Sequence, residues 1–518
     1  MNARYSPLLR HLSPFGVAGL LASLVGCAAT WPADVEFALR RAGPNRSQLE
    51  HVLDSYRRSG DSRKLLAAQF LIANMPEHGF VEYALRTVAG EDVSFDALNY
   101  PNFAAAQAAL DALEKERGTL DFQKAKFVSD LQTITADTLS ENIELAFEAW
   151  RTRPWARALT FTAFLEHVLP YRGSNEPINS TRRTLLDRYA DLPGRMKDAS
   201  DMAEAARLIE TDVSAWVGFD ELYYLHPTDQ SFEEMSQRRK GRCEDITNMQ
   251  LYALRACAVA VASDYTPWWA DRDNNHAWSV ALDARGRGRA GLSNRAAKIY
   301  RKTYSRSADS LGAIRRPDEA VPPTLTSSHV IDATDQYLPV SDVVVQLDQP
   351  HAEGTRFAYL CVFNGGEWRP IHWGRIAPGS AARTVFTRMG RNIAYLPAYF
   401  EEGEVRPAAP PFILTPAGTI RLLDADAPAT SVELSATIPT TPDADTRRDK
   451  PLIAVESGKT YELFAWQNGW RSLGRKIAGR EPVSFDAVPA GRLLWLVADG
   501  SRKLERIFTI EEGRQVFW

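Results

Sequence analysis

The chain has 518 residues, of which 45% are hydrophobic and 24% are charged, and its formal net charge is −4. This length is sufficient for three or four domains, each with a buried core. No long block of one charge sign occurs, so we expect no nucleic-acid partner.

Residues 1–27 are predicted to form a targeting segment. Arg4 and Arg10 precede a short apolar run, residues 15–26, which is too short to span a bilayer. The run ends in Leu24-Val25-Gly26-Cys27, which resembles the lipobox of bacterial lipoproteins. That resemblance implies cleavage before Cys27, lipid on Cys27, and a membrane anchor in the bacterial cell envelope. Ala28 after the cysteine implies the outer membrane, on its periplasmic or surface face. The alternative is an ordinary secretory signal with a chance cysteine.

Residues 28–230 are predicted to be a helical domain. Apolar residues recur at helical spacing in seven segments: 47–56, 65–72, 103–116, 121–150, 158–169, 181–192 and 202–216. The intervening loop, residues 171–179, carries Arg172 and Glu176 without periodicity. Two placements remain open for it, beside a functional site or in solvent.

A helix is predicted to begin at Cys243. Glu244 and Asp245 are typical of a first helical turn, and Ile246 and Met249 begin an apolar face. The positive end of a helix dipole favours a thiolate at this position. Glu244 and Asp245 oppose that effect, so the sign of the pKa shift of Cys243 stays open.

A histidine follows at the start of a predicted strand. After a small-residue strand, residues 259–263, comes a polar and aromatic loop that contains Trp268 and Trp269. His276 and Trp278 then alternate onto one face of the next strand, which we expect to point inward. A cysteine–histidine pair of this kind performs acyl transfer on amides.

Three motifs occur here in the order and spacing of one superfamily: Gly241-Arg242-Cys243, Leu254-Arg255-Ala256 and His276-Ala277-Trp278. They resemble the transglutaminase-like superfamily, which includes transglutaminases, bacterial cysteine peptidases and peptide:N-glycanases. The glycanase resemblance extends to Asn248 and to Asp264-Tyr265-Thr266. It implies a papain/transglutaminase-like α+β core over residues 231–328, with Cys243 as nucleophile and His276 as base. The whole chain more loosely resembles bacterial transglutaminase-like lipoproteins of unassigned function.

The superfamily pattern closes with Asp-Pro-Thr, whose aspartate orients the imidazole, and this tripeptide is absent at the expected distance. Asn294 lies near that distance, and asparagine orients the histidine of papain-like proteases. Asp332 resembles the missing aspartate more closely but comes later, so we favour Asn294 and keep Asp332 as the alternative. Gln237 is a candidate oxyanion donor. Trp268, Trp269 and Asp264 are candidate substrate-contacting residues.

No cofactor is expected. Gly286, Gly288 and Gly291 match the glycine pattern of dinucleotide-binding proteins, but no βαβ context surrounds them. A hairpin turn between two strands explains these glycines better. The histidines show no zinc-binding spacing, so no metal is expected either.

Residues 329–425 and 426–518 are predicted to be two β-sandwich-like domains, the second a repeat of the first. The segment Asn364 to Arg369 corresponds to Asn468-Gly469-Trp470-Arg471, at an offset of about 100 residues. Such domains serve either as spacers or as carbohydrate- or peptide-binding modules, with Trp373 or Trp466 as the contacting aromatic residue.

The predicted fold class is therefore multidomain α+β, with a helical region, a papain/transglutaminase-like core and two β-sandwich-like domains. The predicted function is a cysteine-dependent amide hydrolase that acts on peptides, proteins or glycopeptides. Hydrolysis is favoured because the loop before His276 carries charges of both signs, which suggests a hydrated rim. The alternatives are a non-catalytic peptide- or glycan-binding lipoprotein and a protein-crosslinking transglutaminase. Nothing in the sequence indicates an oligomeric state.

Overall fold

The structure is a computed structural model that describes residues 31–292, 294–377, 382–423, 428–438, 453–480, 482–501 and 504–518. The predicted signal segment, with Cys27, lies outside these residues. The fold is mixed α+β, with several sheets and with antiparallel sheets in the C-terminal region. Within the described part of the chain, no helix combines the length and the apolar character that a membrane span requires.

The first part of the chain contains eleven described α-helices. They are α1 (Ala33–Arg41), α2 (Arg46–Ser59), α3 (Ser62–Asn74), α4 (Phe103–Arg117), α5 (Asp130–Thr133), α6 (Ala136–Thr152), α7 (Phe161–His167), α8 (Arg182–Arg188), α9 (Leu192–Arg195), α10 (Met202–Trp216) and α11 (Phe232–Arg238). Polar caps set several boundaries. The side chain of Asp61 accepts from the Lys64 N–H at the start of α3, and Thr135 caps α6 in the same way.

A β-hairpin interrupts these helices and corrects the sequence prediction. Strand β1 (Gly79–Thr87) pairs antiparallel with β2 (Leu120–Ser129), so the predicted helix over residues 121–150 is wrong in its first third. The helix begins only at Ala136. The run Lys124-Ala125-Lys126 suits a helix locally, but pairing with the distant β1 satisfies its backbone and overrides that preference.

The middle of the chain builds a four-stranded antiparallel sheet against one long helix. The elements of this region are β3 (Gly218–Phe219), β4 (Lys240–Gly241), α12 (Cys243–Ala256), β5 (Val261–Thr266), β6 (His276–Ala281), β7 (Tyr300–Lys302), α13 (Leu311–Ile314), β8 (Val330–Asp332) and α14 (Thr334–Tyr337). Strands β3 and β4 form a separate parallel pair. The strand order is β6-β5-β7-β8. Helix α12 buries Leu251, Ala253 and Leu254 completely against the helical core. The order places β6 at the edge of this sheet.

The glycine-rich segment after β6 does not form the predicted hairpin. Gly286, with φ of 71°, closes a turn on Asp283, but β7 pairs with β5 and β8 rather than with β6. The buried Arg301 explains this path, because its guanidinium donates to the carbonyl oxygens of Gly286 and Gly288, each at 2.9 Å. These contacts hold the loop across the sheet.

The C-terminal strands form two groups, and all their pairings are antiparallel. The first group is β9 (Val340–Gln346), β10 (Phe357–Asn364), β11 (Glu367–Arg375), β12 (Arg383–Gly390), β13 (Ile393–Glu401), β14 (Glu404–Pro407), β15 (Phe412–Leu414) and β16 (Ile420–Leu422). The second is β17 (Ala429–Leu434), β18 (Ala436–Ile438), β19 (Ile453–Ala454), β20 (Thr460–Trp466), β21 (Trp470–Ile477), β22 (Val483–Pro489), β23 (Leu494–Ala498), β24 (Ile507–Glu511) and β25 (Arg514–Phe517).

The two groups share one strand order. The main sheets run β11-β10-β13-β15-β16 and β21-β20-β23-β24-β25, and each is accompanied by a separate strand pair, β9-β12 or β17-β22. Asn364 and Asn468 both lie where the first hairpin of a sheet turns. The two sheets meet through aromatic rings, with Phe363 and Trp495 at 5.1 Å and Trp368 and Trp466 at 5.7 Å between centroids.

Candidate functional site

Cys243 is the first residue of α12 and lies near the beginning of β6, the edge strand of the sheet. The backbone N–H groups of Ala277 and Glu244 lie close enough to the Cys243 sulfur to lower the pKa of the thiol. Ala277 directly follows His276, so the helix start and the histidine-bearing strand meet where the sequence predicts. Cys243 is half-buried, whereas Cys257 and Cys361 are fully buried.

The pKa of the Cys243 thiol is raised to about 11. Burial is the main cause, and the carboxylate of Glu244 adds to it, whereas the two backbone N–H groups and Arg242 act in the opposite direction. The sign that the sequence left open is therefore upward. Burial and the anionic neighbour therefore outweigh the two N–H groups and Arg242.

Glu244 stays ionised because cations surround it. Burial alone would raise the pKa of Glu244, but Lys302 and Arg242 outweigh that effect and lower the pKa to about 2. Lys302 forms an ion pair with Glu244 and donates to Ser174 Oγ at 2.7 Å. Arg242 also pairs with the buried Asp229. Cys243 thus lies beside a compact network of alternating charges.

The loop at residues 171–179 packs against this network, which settles its placement. A Cβ atom on Gly173 would lie 2.4 Å from Oδ1 of Asn248 on α12, so the backbone approaches the helix directly. The Glu176 carboxylate accepts from the N–H groups of Gly173 at 2.6 Å and Ser174 at 2.7 Å. Arg172, which is almost fully buried, forms an ion pair with Asp130. The loop is therefore a rigid wall near Cys243 and not a solvated connection.

His276 opens β6 and lies in a row of aromatic rings. Its ring centroid is 6.1 Å from Trp269 and 5.3 Å from Trp278, and both contacts are stacked. Trp278 donates from Nε1 to the Tyr337 hydroxyl at 3.0 Å, and that hydroxyl donates to Asp264 at 2.6 Å. The imidazole is thus oriented by ring packing. Trp269, predicted to contact substrate, is buried and serves as its packing partner.

Asp332 does not lie where it could orient His276. It is on β8, at the opposite edge of the sheet from β6, and three inter-strand spacings amount to about 14 Å. Its carboxylate is bound by Lys298, by Arg388 at 3.4 Å, and by the Thr334 N–H. We therefore withdraw Asp332 as a candidate third member. Sheet order decides this point, and sequence spacing does not reveal sheet order.

Asn294 lies buried in the connection between β6 and β7. It lines a cavity of about 710 Å³ together with Tyr337, Arg391 and Asn392. Tyr337 is the hydroxyl that joins Trp278 to Asp264, so Asn294 shares a wall with the aromatic row. Its predicted role in orienting His276 stays a prediction.

The structure does not place three other predicted site residues in a shared substrate site: Asp264, Gln237 and Trp268. Asp264 is fully buried and forms two hydrogen bonds of 2.8 Å with Arg301, so its carboxylate is committed to the fold. Gln237 is exposed on the last turn of α11. The buried glutamine of this region is Gln230, whose backbone N–H donates to Asp245 at 3.0 Å. Trp268 packs against the first C-terminal sheet, with the Arg369 guanidinium 5.1 Å from its ring.

The loop before His276 is held by residues of both C-terminal sheets, which the sequence did not reveal. The side-chain amide of Asn364 donates to the carbonyl oxygens of Trp269 at 3.0 Å, Arg272 at 2.9 Å and Asn274 at 3.0 Å. Arg506 donates to the carbonyl oxygen of Ala270 at 2.6 Å. Asn364 belongs to the repeat motif Asn364 to Arg369. This motif was the one feature of the sequence that could have drawn attention to Asn364 as a residue with a structural role.

A polar cavity of about 630 Å³ lies on the α12 side of the sheet. Ser174, Lys302 and Tyr265 line it, and the first two contact the Glu244 side chain next to Cys243. The hairpin β1–β2 supplies another wall through Tyr83 and Lys124. Within the described ranges, no group of three or more histidine, cysteine or acidic side chains is placed to hold a metal ion.

No protein-family model matches the chain, and no curated protein matches it in sequence. The resemblance to the transglutaminase-like superfamily therefore rests on the three sequence motifs alone.

Proposed function

We propose that the protein is a cysteine-dependent amide hydrolase with a transglutaminase-like core, in which Cys243 is the nucleophile and His276 the base. One observation carries the proposal. Cys243 begins α12, and its sulfur lies near the backbone N–H of Ala277, the residue that follows His276 on β6. A helix start that meets a histidine-bearing strand is the arrangement that the three sequence motifs imply.

The raised pKa of Cys243 defines the chemistry that the base must perform. At neutral pH the thiol is protonated, so its proton passes to the His276 imidazole as the sulfur attacks the amide carbonyl. The amine leaves with that proton, and an acyl group remains on the sulfur. Water then hydrolyses the thioester and regenerates the thiol. The N–H groups of Ala277 and Glu244 favour the negative charge on the sulfur as its proton leaves, and attack then moves that charge to the carbonyl oxygen.

The domain layout that we propose has a helical region, this core and two β-sandwich-like domains. The shared strand order of the two C-terminal groups supports a duplicated domain. We further propose that Cys27 carries lipid and anchors the protein in the bacterial envelope, as the lipobox resemblance implies. Replacing Cys27 should move the protein from the membrane fraction to the soluble fraction, and an unchanged membrane fraction would remove this assignment.

A second candidate function is a non-catalytic peptide- or glycan-binding lipoprotein. The raised pKa of Cys243 favours it, since an unreactive thiol has no role in catalysis. A protein-crosslinking transglutaminase is the third candidate, because it would form the same acyl-enzyme and resolve it with an amine.

One experiment separates the three functions. The protein is incubated with a mixture of glutamine peptides, unmodified peptides and glycopeptides, with excess primary amine, and the products are read by mass spectrometry. Released acid that disappears in Cys243→Ala, but persists in the matched variant Cys257→Ala, would support hydrolysis. Dominant amine adducts would establish a transglutaminase. Peptide binding without any product would establish the binding function.

A further inference from the structure

A second cavity, of about 550 Å³, lies between the four-stranded sheet and the first C-terminal sheet. Tyr265, Tyr300 and β8 form one wall, and β11 and β12 form the other. The Tyr300 hydroxyl lies 3.0 Å from Nδ1 of His372, which fixes the two walls to each other. The cavity is therefore a fixed feature of the domain junction.

One side of this cavity is apolar and carries an available indole. Trp373 is half-buried and meets Phe357 edge-on at 5.4 Å. Within the described part of the chain, its N–H has no hydrogen-bond partner. Ile331 and Val385, which are 41% and 48% exposed, continue the apolar surface. Together these side chains offer a flat platform beside an open donor.

The polar side of the cavity is electrically neutral. Two acidic and two basic side chains line it, and Asp332 pairs with Arg388 at 3.4 Å. Among the described residues, Asp309 and Arg375 have no ion-pair partner. One free acceptor group and one free donor group, with hydroxyls between them, suit an uncharged ligand that carries both donors and acceptors. An anion would be repelled by the carboxylate of Asp309, and a cation would be repelled by the guanidinium of Arg375.

This cavity continues into the one beside Cys243. Tyr265, Ser327 and Val330 line both cavities, so the two share a boundary. The other cavity reaches Lys302 and Ser174, which contact the neighbour of the nucleophile. The two cavities therefore adjoin, and one of them reaches the residues that contact Glu244, the neighbour of Cys243.

We infer that the junction cavity binds a neutral saccharide, with a sugar ring on the face of Trp373 and hydroxyl groups on Asp309 and Arg375. A peptide backbone fits less well, because strand addition needs a free edge. The carbonyl oxygen of Asp332 on β8 already accepts from Arg388, and β12 pairs with β9. The inference rests on the proposed function in one respect: the saccharide and the cleaved amide belong to one substrate.

The test measures saccharide binding by the full mature chain. Chitotriose, cellotriose and maltotriose are titrated, and binding is measured by tryptophan fluorescence and by calorimetry. We expect at least one of them to bind at millimolar concentration or tighter. Trp373→Ala should abolish binding, and Trp373→Phe should retain part of it. Arg375→Ala should weaken binding roughly tenfold through the loss of charged hydrogen bonds. The matched variant Arg383→Ala, at an exposed arginine of β12 that does not line the cavity, should bind as the wild type does.

Failure of all three saccharides to bind would overturn the inference, as would wild-type affinity in Trp373→Ala. Peptide binding in this cavity without saccharide binding would also overturn it. The Cys243 chemistry is measured separately, as hydrolysis of an unglycosylated peptide. Saccharide binding without any hydrolysis would leave the saccharide site standing and remove the hydrolase assignment. Hydrolysis without saccharide binding would do the reverse.

Discussion

At the scale of single residues, Glu244 influences the protonation of the Cys243 thiol. Its carboxylate follows Cys243 directly, is ionised, and raises the pKa of the thiol. The same carboxylate holds Lys302, whose ammonium would otherwise favour a thiolate. Removal of the Glu244 charge therefore lowers the thiol pKa in two ways, directly and by freeing a cation.

We expect Glu244→Gln to make Cys243 react several-fold faster with iodoacetamide at pH 8, since each unit of pKa decrease raises the thiolate fraction roughly tenfold. In the wild type, Cys243 should be labelled before Cys257 and Cys361, which are fully buried. The matched variant Glu233→Gln, at an exposed position on α11, should label at the wild-type rate. Slower labelling of Glu244→Gln, read by peptide mass spectrometry, would contradict this account of the thiol.

His167 should make folding sensitive to acid. Burial lowers its pKa to about 3, and Arg255 and Arg301 add to that effect. The unfolded chain binds a proton near pH 6.5, whereas the folded chain does not, so stability falls as the pH drops from 7 to 5. The contribution of this one group is roughly 2 kcal/mol over that interval.

The check is urea unfolding of the wild type and of His167→Gln at pH 7 and at pH 5. The wild type should lose about 2 kcal/mol more than the variant between the two values. His51→Gln, at an exposed histidine of α2, is the control and should follow the wild type. Equal losses in the wild type and in His167→Gln would show that His167 titrates normally in the folded chain.

At the scale of elements, the contact between the 171–179 loop and α12 has no spare space. Gly173→Ala would place a methyl group 2.4 Å from Oδ1 of Asn248 and 3.3 Å from Leu251. We expect a loss of about 1–3 kcal/mol, seen as a lower melting temperature, because the buried Asn248 must move. Gly194→Ala, where no atom lies within 4 Å, is the matched control and should be neutral or slightly stabilising. A similar melting temperature for both variants would mean that the loop yields freely.

Elements with a strong local pattern were predictable. Helix α12 was predicted to start at Cys243, and β6 at His276, because an acidic first turn and an alternating strand are local signals. The strand β2 could not be predicted in this way. Its pairing partner β1 lies about 40 residues earlier in the chain, and its own residues favour a helix as well. The same limit applies to the hairpin predicted at Gly286, which long-range contacts with Arg301 prevent.

The candidate site divides in the same way. The proximity of Cys243 to the strand that His276 begins follows from a helix and a strand whose ends the sequence defines. The exclusion of Asp332 depends on the strand order β6-β5-β7-β8, which spacing along the chain does not encode. The upward pKa shift of Cys243 depends on burial and on the Glu244 carboxylate, which Lys302, about 60 residues away, keeps ionised. The sequence could therefore state only the competing influences.

At the scale of the whole molecule, the C-terminal sheets complete the site. Asn364 is almost fully buried, and its side chain holds three carbonyl groups of the loop that leads to His276. Its counterpart in the repeat, Asn468, is exposed. The two copies of this turn therefore differ in role. The turn at Asn364 binds the loop that leads to His276, whereas the turn at Asn468 only reverses the direction of the chain.

Asn364→Ala should loosen residues 267–275, because buried carbonyl groups lose their donor, at a cost of about 1–3 kcal/mol. We expect faster hydrogen exchange in this loop and slower amide hydrolysis, with the fold otherwise retained. Asn468→Ala is the matched control and should change neither measurement. Unaltered exchange in Asn364→Ala would show that the loop is ordered by other contacts, such as the one from Arg506.

The Arg506 contact with Ala270 also sets an order of events during synthesis. A ribosome adds about 5–20 residues per second, so Arg506 appears roughly ten to fifty seconds after His276 has been made. Throughout that interval the loop beside His276 lacks a clamp that the finished protein supplies. Under the proposed function, a nascent chain would therefore be inactive through that interval, and amide cleavage would begin only when the last sheet has folded.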